Sequence, residues 1–273
     1  MEVDSYFRIG KHHSMCQDYA VAGHRGGVPF AMLSDGCSGV VDPLEPGSPH
    51  TDFGSRFLVR AAMQRLPALV EGTLPWLPIV GDAWDMAQAA HLPKSSMDAT
   101  LIAAVPVPGR RVRVCQTGDG VVAYKTQAGC IRYISTSFGE NAPYYLSYLL
   151  KPQLLNGYFN HVREVTLTTN SFYPASGWGV PTVVPKPICD FPICQNIVIE
   201  DPTIVICFSD GIESFYSGRQ QVPLEQVLDQ IFAFKNTRGE FLSRRCHSFL
   251  TRFCPEQGWW HADDFSAAGI CLE

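Results

Sequence analysis

Two stretches of this chain end in the same way. "FAMLSDG" (30–36) and "IVICFSDG" (204–211) each drive an apolar run into Ser-Asp-Gly, so Asp35 and Asp210 stand directly behind what read as buried strands. A strand that crosses a core and finishes on a carboxylate followed by glycine commits that charge to the edge of a sheet. Any fold open to this chain must therefore give both edges solvent or a counter-charge. Composition permits a large core behind them, since 46% of the residues are hydrophobic and only 17% are charged.

Short segments rich in Val, Ile, Thr and aromatic residues predict strands at about 28–34, 99–105, 111–117, 121–126, 162–168, 203–208 and 265–272. "VRVCQTGDGVVAYKT" (112–126) reads as a hairpin closed by a tight Gly-Asp-Gly turn. Helices are predicted at about 52–66, with Thr51 or Asp52 as N-cap and Pro67 as terminator, and at about 82–91. Two more are predicted at about 223–234, opening on Pro223, and at about 239–253, ending before Pro255. Strands cluster and helices stand in blocks without steady alternation. That pattern predicts an α+β layered sandwich of mainly antiparallel strands.

One domain is expected over 1–273. At about 136–196, "ENAPYYLSYLLKPQ" and "YPASGWGVPTVVPKPICDFP" concentrate Pro, Gly and aromatic residues, the composition of a flap-like insert or binding loop. A rigid structural excursion reads equally well from the same residues.

Several function classes are excluded early. A net charge of −5 gives no electrostatic case for nucleic acid or an anionic membrane as partner. No apolar stretch approaches the roughly 18 residues of a membrane span. The start, "MEVDSYFRIGKHHSM", carries acidic residues and no apolar h-region, so no signal peptide is expected. The ten cysteines are scattered and mostly sit in apolar runs, the pattern of reduced thiols, and a cytoplasmic location is expected. Cys189 and Cys194 have no second pair at zinc-finger spacing.

Further carboxylates repeat the theme of the two corners. Asp18 sits in "CQDYAVAG", Asp119 in "TGDG", and Asp263 and Asp264 in "HADDFSAAGICL". Carboxylates gathered at one sheet edge repel unless cations neutralise them, and oxygen-only ligands favour hard ions, Mg²⁺ or Mn²⁺. The backbone carbonyl of Gly36 has room to join them. Two ions about 3.5–4 Å apart sharing a water would make a hydroxide near neutral pH, suited to attack on phosphorus. Any single Asp-Gly is also an ordinary turn, Asp119 above all. Together, the repeated carboxylates point to a metal site where one alone does not. Ser34 and Ser209 lack the elbow and positioned His of a nucleophile, no Gly-x-x-x-x-Gly-Lys loop is present, and Trp259 and Trp260 read as packing residues.

In this order the motifs resemble those of the protein phosphatase 2C family, the metal-dependent serine/threonine phosphatases, in their short bacterial form. "CQDYA" (16–20), "LSDGCSG" (33–39), "TDFGSRFL" (51–58), "DATLIAA" (98–104), "TGDG" (117–120), "CFSDGIESF" (207–215) and "ADDFSAAGI" (262–270) carry the likeness. The resemblance implies a four-layer αββα sandwich with a binuclear Mn²⁺ or Mg²⁺ centre at one end and a metal-bridged hydroxide as nucleophile. Asp35 would bridge both ions, the Gly36 carbonyl would bind the second, and Asp210 and Asp263 would complete the first. Asp18 would hold a metal-bound water, Asp119 with Asp210 would hold a weaker third ion, and Asp264 would stand behind the ligands. Asp18, Asp35 and Asp210 are thus the implied catalytic set. A phosphorylated protein is the implied substrate, a serine/threonine kinase the implied signalling partner, and 136–196 the implied flap beside the substrate groove.

The departures narrow the reading. Many members place an arginine for the substrate phosphate where this chain has Lys11, His12 and His13, which makes Lys11 and His13 the phosphate-binding candidates. His12 and His13 also read as a solvated pair. Cys37 stands where eukaryotic members carry a histidine, and Gln17 where a glutamate is common. Two alternatives stay open: a pseudophosphatase that binds without turnover, and a phosphatase of a small phosphorylated metabolite.

Overall fold

The computed structural model describes residues 1–37, 50–73, 76–174, 177–192 and 194–273. The first strands are β1 (Glu2–Arg8), β2 (Tyr19–Arg25), β3 (Val28–Ser34), β4 (Leu101–Val107) and β5 (Arg111–Thr117). They are followed by β6 (Gly120–Thr126), β7 (Ile131–Phe138), β8 (Glu164–Phe172), β9 (Thr182–Pro187) and β10 (Gln195–Glu200). Last come β11 (Pro202–Phe208), β12 (Phe215–Ser217), β13 (Gln220–Gln221), β14 (Trp259–His261) and β15 (Phe265–Cys271). The main helices are α1 (Thr51–Gln64), α2 (Leu66–Glu71), α3 (Trp76–Ala89), α4 (Pro152–His161), α5 (Leu224–Ile231) and α6 (Phe241–Ser248).

A seven-stranded antiparallel sheet runs β1-β15-β11-β6-β7-β8-β9, and a five-stranded one runs β10-β5-β4-β3-β2. A small third sheet, β13-β12-β14, stands at the side. Period-two alternation stacks the two large sheets. Ala31, Leu33, Ile102 and Ala104 of one face Val205, Cys207, Ala268 and Ile270 of the other. The intervening residues point outward. Phe30, Met32, Leu101 and Ala103 pack under Leu58 and Ala62 of α1 and Ile79 and Ala83 of α3. Ile204, Ile206 and Phe208 pack under Leu228 and Ile231 of α5 and Phe241 and Leu242 of α6. The layers are therefore helix, sheet, sheet, helix, as the α+β sandwich required. No helix among the described residues is long and apolar enough to cross a membrane.

Several local expectations are corrected. "VRVCQTGDGVVAYKT" is not a hairpin, because β5 lies in the five-stranded sheet and β6 in the seven-stranded one. Gly118 (φ 82°) and Gly120 (φ 126°) turn the chain from one sheet into the other, a path in left-handed backbone space that glycine takes without strain. A Cβ on Gly120 would fall 2.7 Å from the Phe208 carbonyl oxygen. Sequence alone favours the hairpin because local turn chemistry cannot say which sheet the next strand joins.

His50, not Thr51 or Asp52, occupies the N-cap of α1, and Asp52 lies in the first turn, its Oδ2 3.6 Å from Arg56 Nη1. Pro67 opens α2 rather than ending α1. α3 begins ahead of its expected start, at Trp76, and α6 continues through a π-turn (Phe249–Phe253) past Pro255. β1, β2 and β9 carry too many charged, proline or small residues to announce themselves as strands, while β7 (IRYISTSF) and β10 (QNIVIE) are strands of ordinary β composition that sequence reading did not anticipate. Within 136–196, β8 and β9 extend the large sheet, while Phe138, Tyr144, Tyr158, Val162 and Ile188 form a separate aromatic cluster. All ten cysteines are free. Ser38 and Gly39 of the "LSDGCSG" motif lie outside the described residues.

Candidate active site

The strand registers bring the corners to one end of the sandwich. Asp35 follows β3 and Asp18 precedes β2, with Tyr19 paired to Ser34. Asp210 follows β11 and Asp263 precedes β15, with Phe208 paired to Ala267. Asp119 sits in the crossover from β5 to β6. A cavity of about 250 Å³ opens among Asp35, Gly36, Asp119, Asp210 and Asp263, with Cys37 and Thr100 on its wall.

The serines of the two Ser-Asp-Gly corners act as struts. Ser209 Oγ donates to Asp18 Oδ2 (2.7 Å) and accepts from the Ser266 amide (3.1 Å), tying Asp18 across the inter-sheet gap to β15. Ser34 Oγ donates to the Thr100 carbonyl (2.5 Å). The Thr100 amide donates to the Asp35 carbonyl (2.8 Å), and its hydroxyl accepts from the Asp35 amide (3.1 Å). Asp35 is thereby fixed by backbone on both sides. The glycines are steric: a Cβ on Gly36 would lie 2.7 Å from the Thr51 carbonyl oxygen, and one on Gly211 would collide with the Asp264 carbonyl.

Charge at this end is one-sided. Burial, and then the negative charges of Asp18 and Asp210, push the Asp35 carboxyl well above the carboxylate range. Burial likewise lifts Asp18 to about 7, while the Ser209 hydroxyl opposes the rise. Asp119 is raised by burial and by Asp210, and Asp210 by burial and by Asp263. No Lys or Arg lines the cavity among the described residues.

Asp18 Oδ1 and Asp210 Oδ1 are buried without a hydrogen-bond partner. Among the described residues, no three His, Cys, Asp or Glu side chains are already closed around one point. Yet an all-oxygen donor set with orphaned buried oxygens and no Lys or Arg among the described lining residues fits hard divalent ions.

The loop before β2 is stapled to this end. Buried Asp264 accepts from the Gly10 amide at Oδ1 (2.7 Å) and from the Gln17 amide at Oδ2 (2.6 Å). Gln17 Nε2 donates to Thr51 Oγ1 (2.8 Å) at the start of α1. His13 lies between two carboxylates, Nε2 3.4 Å from Asp263 Oδ1 and Nδ1 3.1 Å from Asp264 Oδ1. Lys11 Nζ rests 4.9 Å from the centre of the Trp260 ring. Neither Lys11 nor His13 lines the carboxylate cavity. His13 meets carboxylates and Lys11 meets an indole.

Residues that sequence reading passed over complete the wall: Thr100, and from the insert Asn141 and Tyr145. Glu140 (φ 58°) and Asn141 (φ 52°) are consecutive non-glycine residues in the left-handed region, and the turn they make aims Asn141 at the cavity. Tyr145 is 8% exposed, and burial followed by the neighbouring Cys37 raises its phenol far above the usual value. The signal available was "ENAPYY", the start of the aromatic-rich insert.

Comparison with known proteins agrees with this geometry. Residues 10–251 match the profile of the protein phosphatase 2C family, a match that ends before Asp263. The chain belongs to the protein phosphatase 2C family, and so to the metal-dependent serine/threonine protein phosphatases. Among solved structures, a bacterial serine phosphatase bearing an arginine-to-lysine mutation is similar at 14% identity, TM-score 0.54, over 100% of this chain and 98% of that one. The serine/threonine phosphatase Stp1 from Staphylococcus aureus is similar at 12% identity, TM-score 0.52, over 100% and 95%. The serine/threonine phosphatase of S. agalactiae is similar at 15% identity, TM-score 0.50, over 100% and 99%. At these identities the likeness speaks for the fold. No curated protein sequence matches the chain.

Proposed function

We propose that the chain, acting over 1–273 as one phosphatase domain, hydrolyses phosphoserine and phosphothreonine in proteins at the carboxylate cavity, with two divalent ions, Mn²⁺ or Mg²⁺. The observation that carries this is the convergence of Asp18, Asp35, Asp119, Asp210 and Asp263 at one end of the sandwich, with no Lys or Arg among the described residues that line the cavity. Asp35 and the Gly36 carbonyl, with Asp210 and Asp263, would hold the two ions, and Asp119 with Asp210 a weaker third. Such ions lower the pKa of water they share and neutralise developing charge on phosphoryl oxygens.

The chain's own residues do the rest. Asp18, held by Ser209 and buried behind Asp35 at the cavity wall, keeps an unpartnered Oδ1 that would accept the proton of an attacking water reaching behind that wall. Thr100 keeps Asp35 from swinging away. Asn141 and Tyr145 present an amide and a phenol from the insert to orient the phosphoryl group, which gives 136–196 its part as flap. A phosphoprotein substrate written by a partner kinase, in cytoplasmic signalling, belongs to the same proposal.

One observation favours a second reading, a pseudophosphatase that binds without turnover: Lys11 rests on an indole and His13 is held between Asp263 and Asp264, and neither side chain lines the cavity. Hydrolysis of p-nitrophenyl phosphate and of a phosphothreonine peptide, with Mn²⁺, with Mg²⁺ and with EDTA, separates the two. Metal-dependent turnover lost in Asp210→Ala is expected. Metal binding without turnover would favour the binding module.

A further inference from the structure

A cavity of about 400 Å³ lies on the helical layer over the seven-stranded sheet and shares no lining residue with the carboxylate site. Its floor is aromatic: Phe234, Phe241 and Phe253. Its rim is basic: Lys235, Arg244, Arg245 and Arg252 against the single acid Glu256. That balance runs against the rest of a chain whose net charge is −5. Among the described residues none of the four cations has a carboxylate within salt-bridge distance. Arg244 and Arg245 donate only to the backbone carbonyls of Arg238 and Gln230. Burial lowers the Arg245 guanidinium from its ordinary value, with the nearby Asp229 charge opposing the fall, so part of this positive charge is withdrawn from water.

The shape is linear. Arg244, Ser248, Arg252 and Glu256 recur at four-residue intervals along α6, its π-turn and the short helical turn that follows (Cys254–Glu256), and the two arginines stand roughly 12 Å apart along the axis. One end of the groove, at Phe234, borders Thr203 and Glu273, the end of β11 remote from Asp210. At the other end Phe253 packs 5.3 Å from Trp259 of β14, the strand that leads into Asp263. The groove thus runs along the outside of the sandwich toward the catalytic end.

We propose that this groove docks an acidic, aromatic-containing linear segment of the phosphoprotein substrate, a reading that rests on the protein phosphatase activity proposed above. Carboxylates of the segment meet the arginine row, and its apolar side chains enter between the phenylalanines. A compact anion such as a nucleotide would use one end of the row and leave the other unmatched.

The test uses the full chain and a short fluorescein-labelled peptide of Glu, Asp and Phe, read by anisotropy. Expected is micromolar binding that weakens at least about tenfold in Arg244→Glu/Arg252→Glu and falls with added NaCl. The alanine pair, Arg244→Ala/Arg252→Ala, should fall between, with both variants melting like the parent. Joined to a phosphothreonine core, the same acidic segment should lower KM at least about fivefold in the parent and not in the glutamate pair, with p-nitrophenyl phosphate hydrolysis equal in both. Equal peptide affinity in parent and variants overturns the proposal, as does absence of binding, or displacement of the peptide by a fluorescent nucleotide. If nothing is hydrolysed, the activity proposal fails while anisotropy still decides the groove.

Discussion

The two ends of a single strand live in opposite worlds. Along β3, Ala31 and Leu33 enter an apolar inter-sheet layer with Ile102, Val205 and Ile270; two residues past Leu33, Asp35 faces the charges of Asp18 and Asp210. The first region stabilises by burying apolar surface. The second is held against its own repulsion, by the rigidity of strands whose other halves are locked in that core. A site of this kind need not be stable by itself, provided its ligands are the ends of elements that are.

The largest expected effect separates the two regions cleanly. Asp35→Asn should cut metal-dependent turnover by about a thousandfold. It should also raise the melting temperature in EDTA by roughly 2–4 °C, since one of the mutually repelling buried carboxylates is gone. A lower melting temperature would break the contrast. Its mirror is Ile270→Ala, in the inter-sheet layer away from the carboxylates. A loss of about 3 kcal/mol in urea unfolding is expected, with turnover at saturating Mn²⁺ little changed where the variant is folded.

pH sharpens the comparison further. The folded state raises Asp18 from 3.8 to about 7, so it binds that proton more tightly than the unfolded chain. The associated stability is fully present below pH 3.8 and is lost as pH rises toward 7. In EDTA the melting temperature should therefore fall by roughly 5 °C between about pH 5 and pH 7, and Mn²⁺ should flatten that slope. A metal-free protein that gains stability over the same range would show the carboxylates to be compensated. The smallest effect is at the wall. Tyr145→Phe keeps the ring and removes only the hydroxyl, so stability should hold while KM for a phosphopeptide rises about fivefold and kcat changes less. A change confined to kcat would move the phenol from orienting the substrate to the chemical step.

Much of this was legible in the sequence, and the reason is local. Ser-Asp-Gly behind an apolar run encodes a strand, a corner and an edge carboxylate in consecutive residues, so Asp35 and Asp210 could be read without knowing the topology. Asp119 could be found, but not its setting, because Gly-Asp-Gly serves a hairpin and an inter-sheet crossover alike. Lys11 and His13 were read from chain position, which could not show their neighbours: Lys11 stands over an indole and His13 between two carboxylates. Asn141 and Tyr145 were legible only as part of the aromatic insert, because their place on the cavity wall depends on the tertiary path of the chain after the left-handed turn at 140–141. Edge strands such as β1 and β9 escaped for a related reason, since pairing supplies the order that their composition does not declare.

The crossover at Gly118, Asp119 and Gly120 has a mechanical consequence. It is a covalent seam between the sheets at the level of the carboxylates, with Asp35 and Asp18 mounted on one plate and Asp210 and Asp263 on the other. The gap between donors on opposite plates is then a gauge of sheet separation. A methyl group added at Ala31 or Ala104, deep between the plates, would be registered as a changed carboxylate spacing at the far edge. The thickness of an apolar layer thus becomes a variable that sets how far apart the carboxylates of the two plates stand.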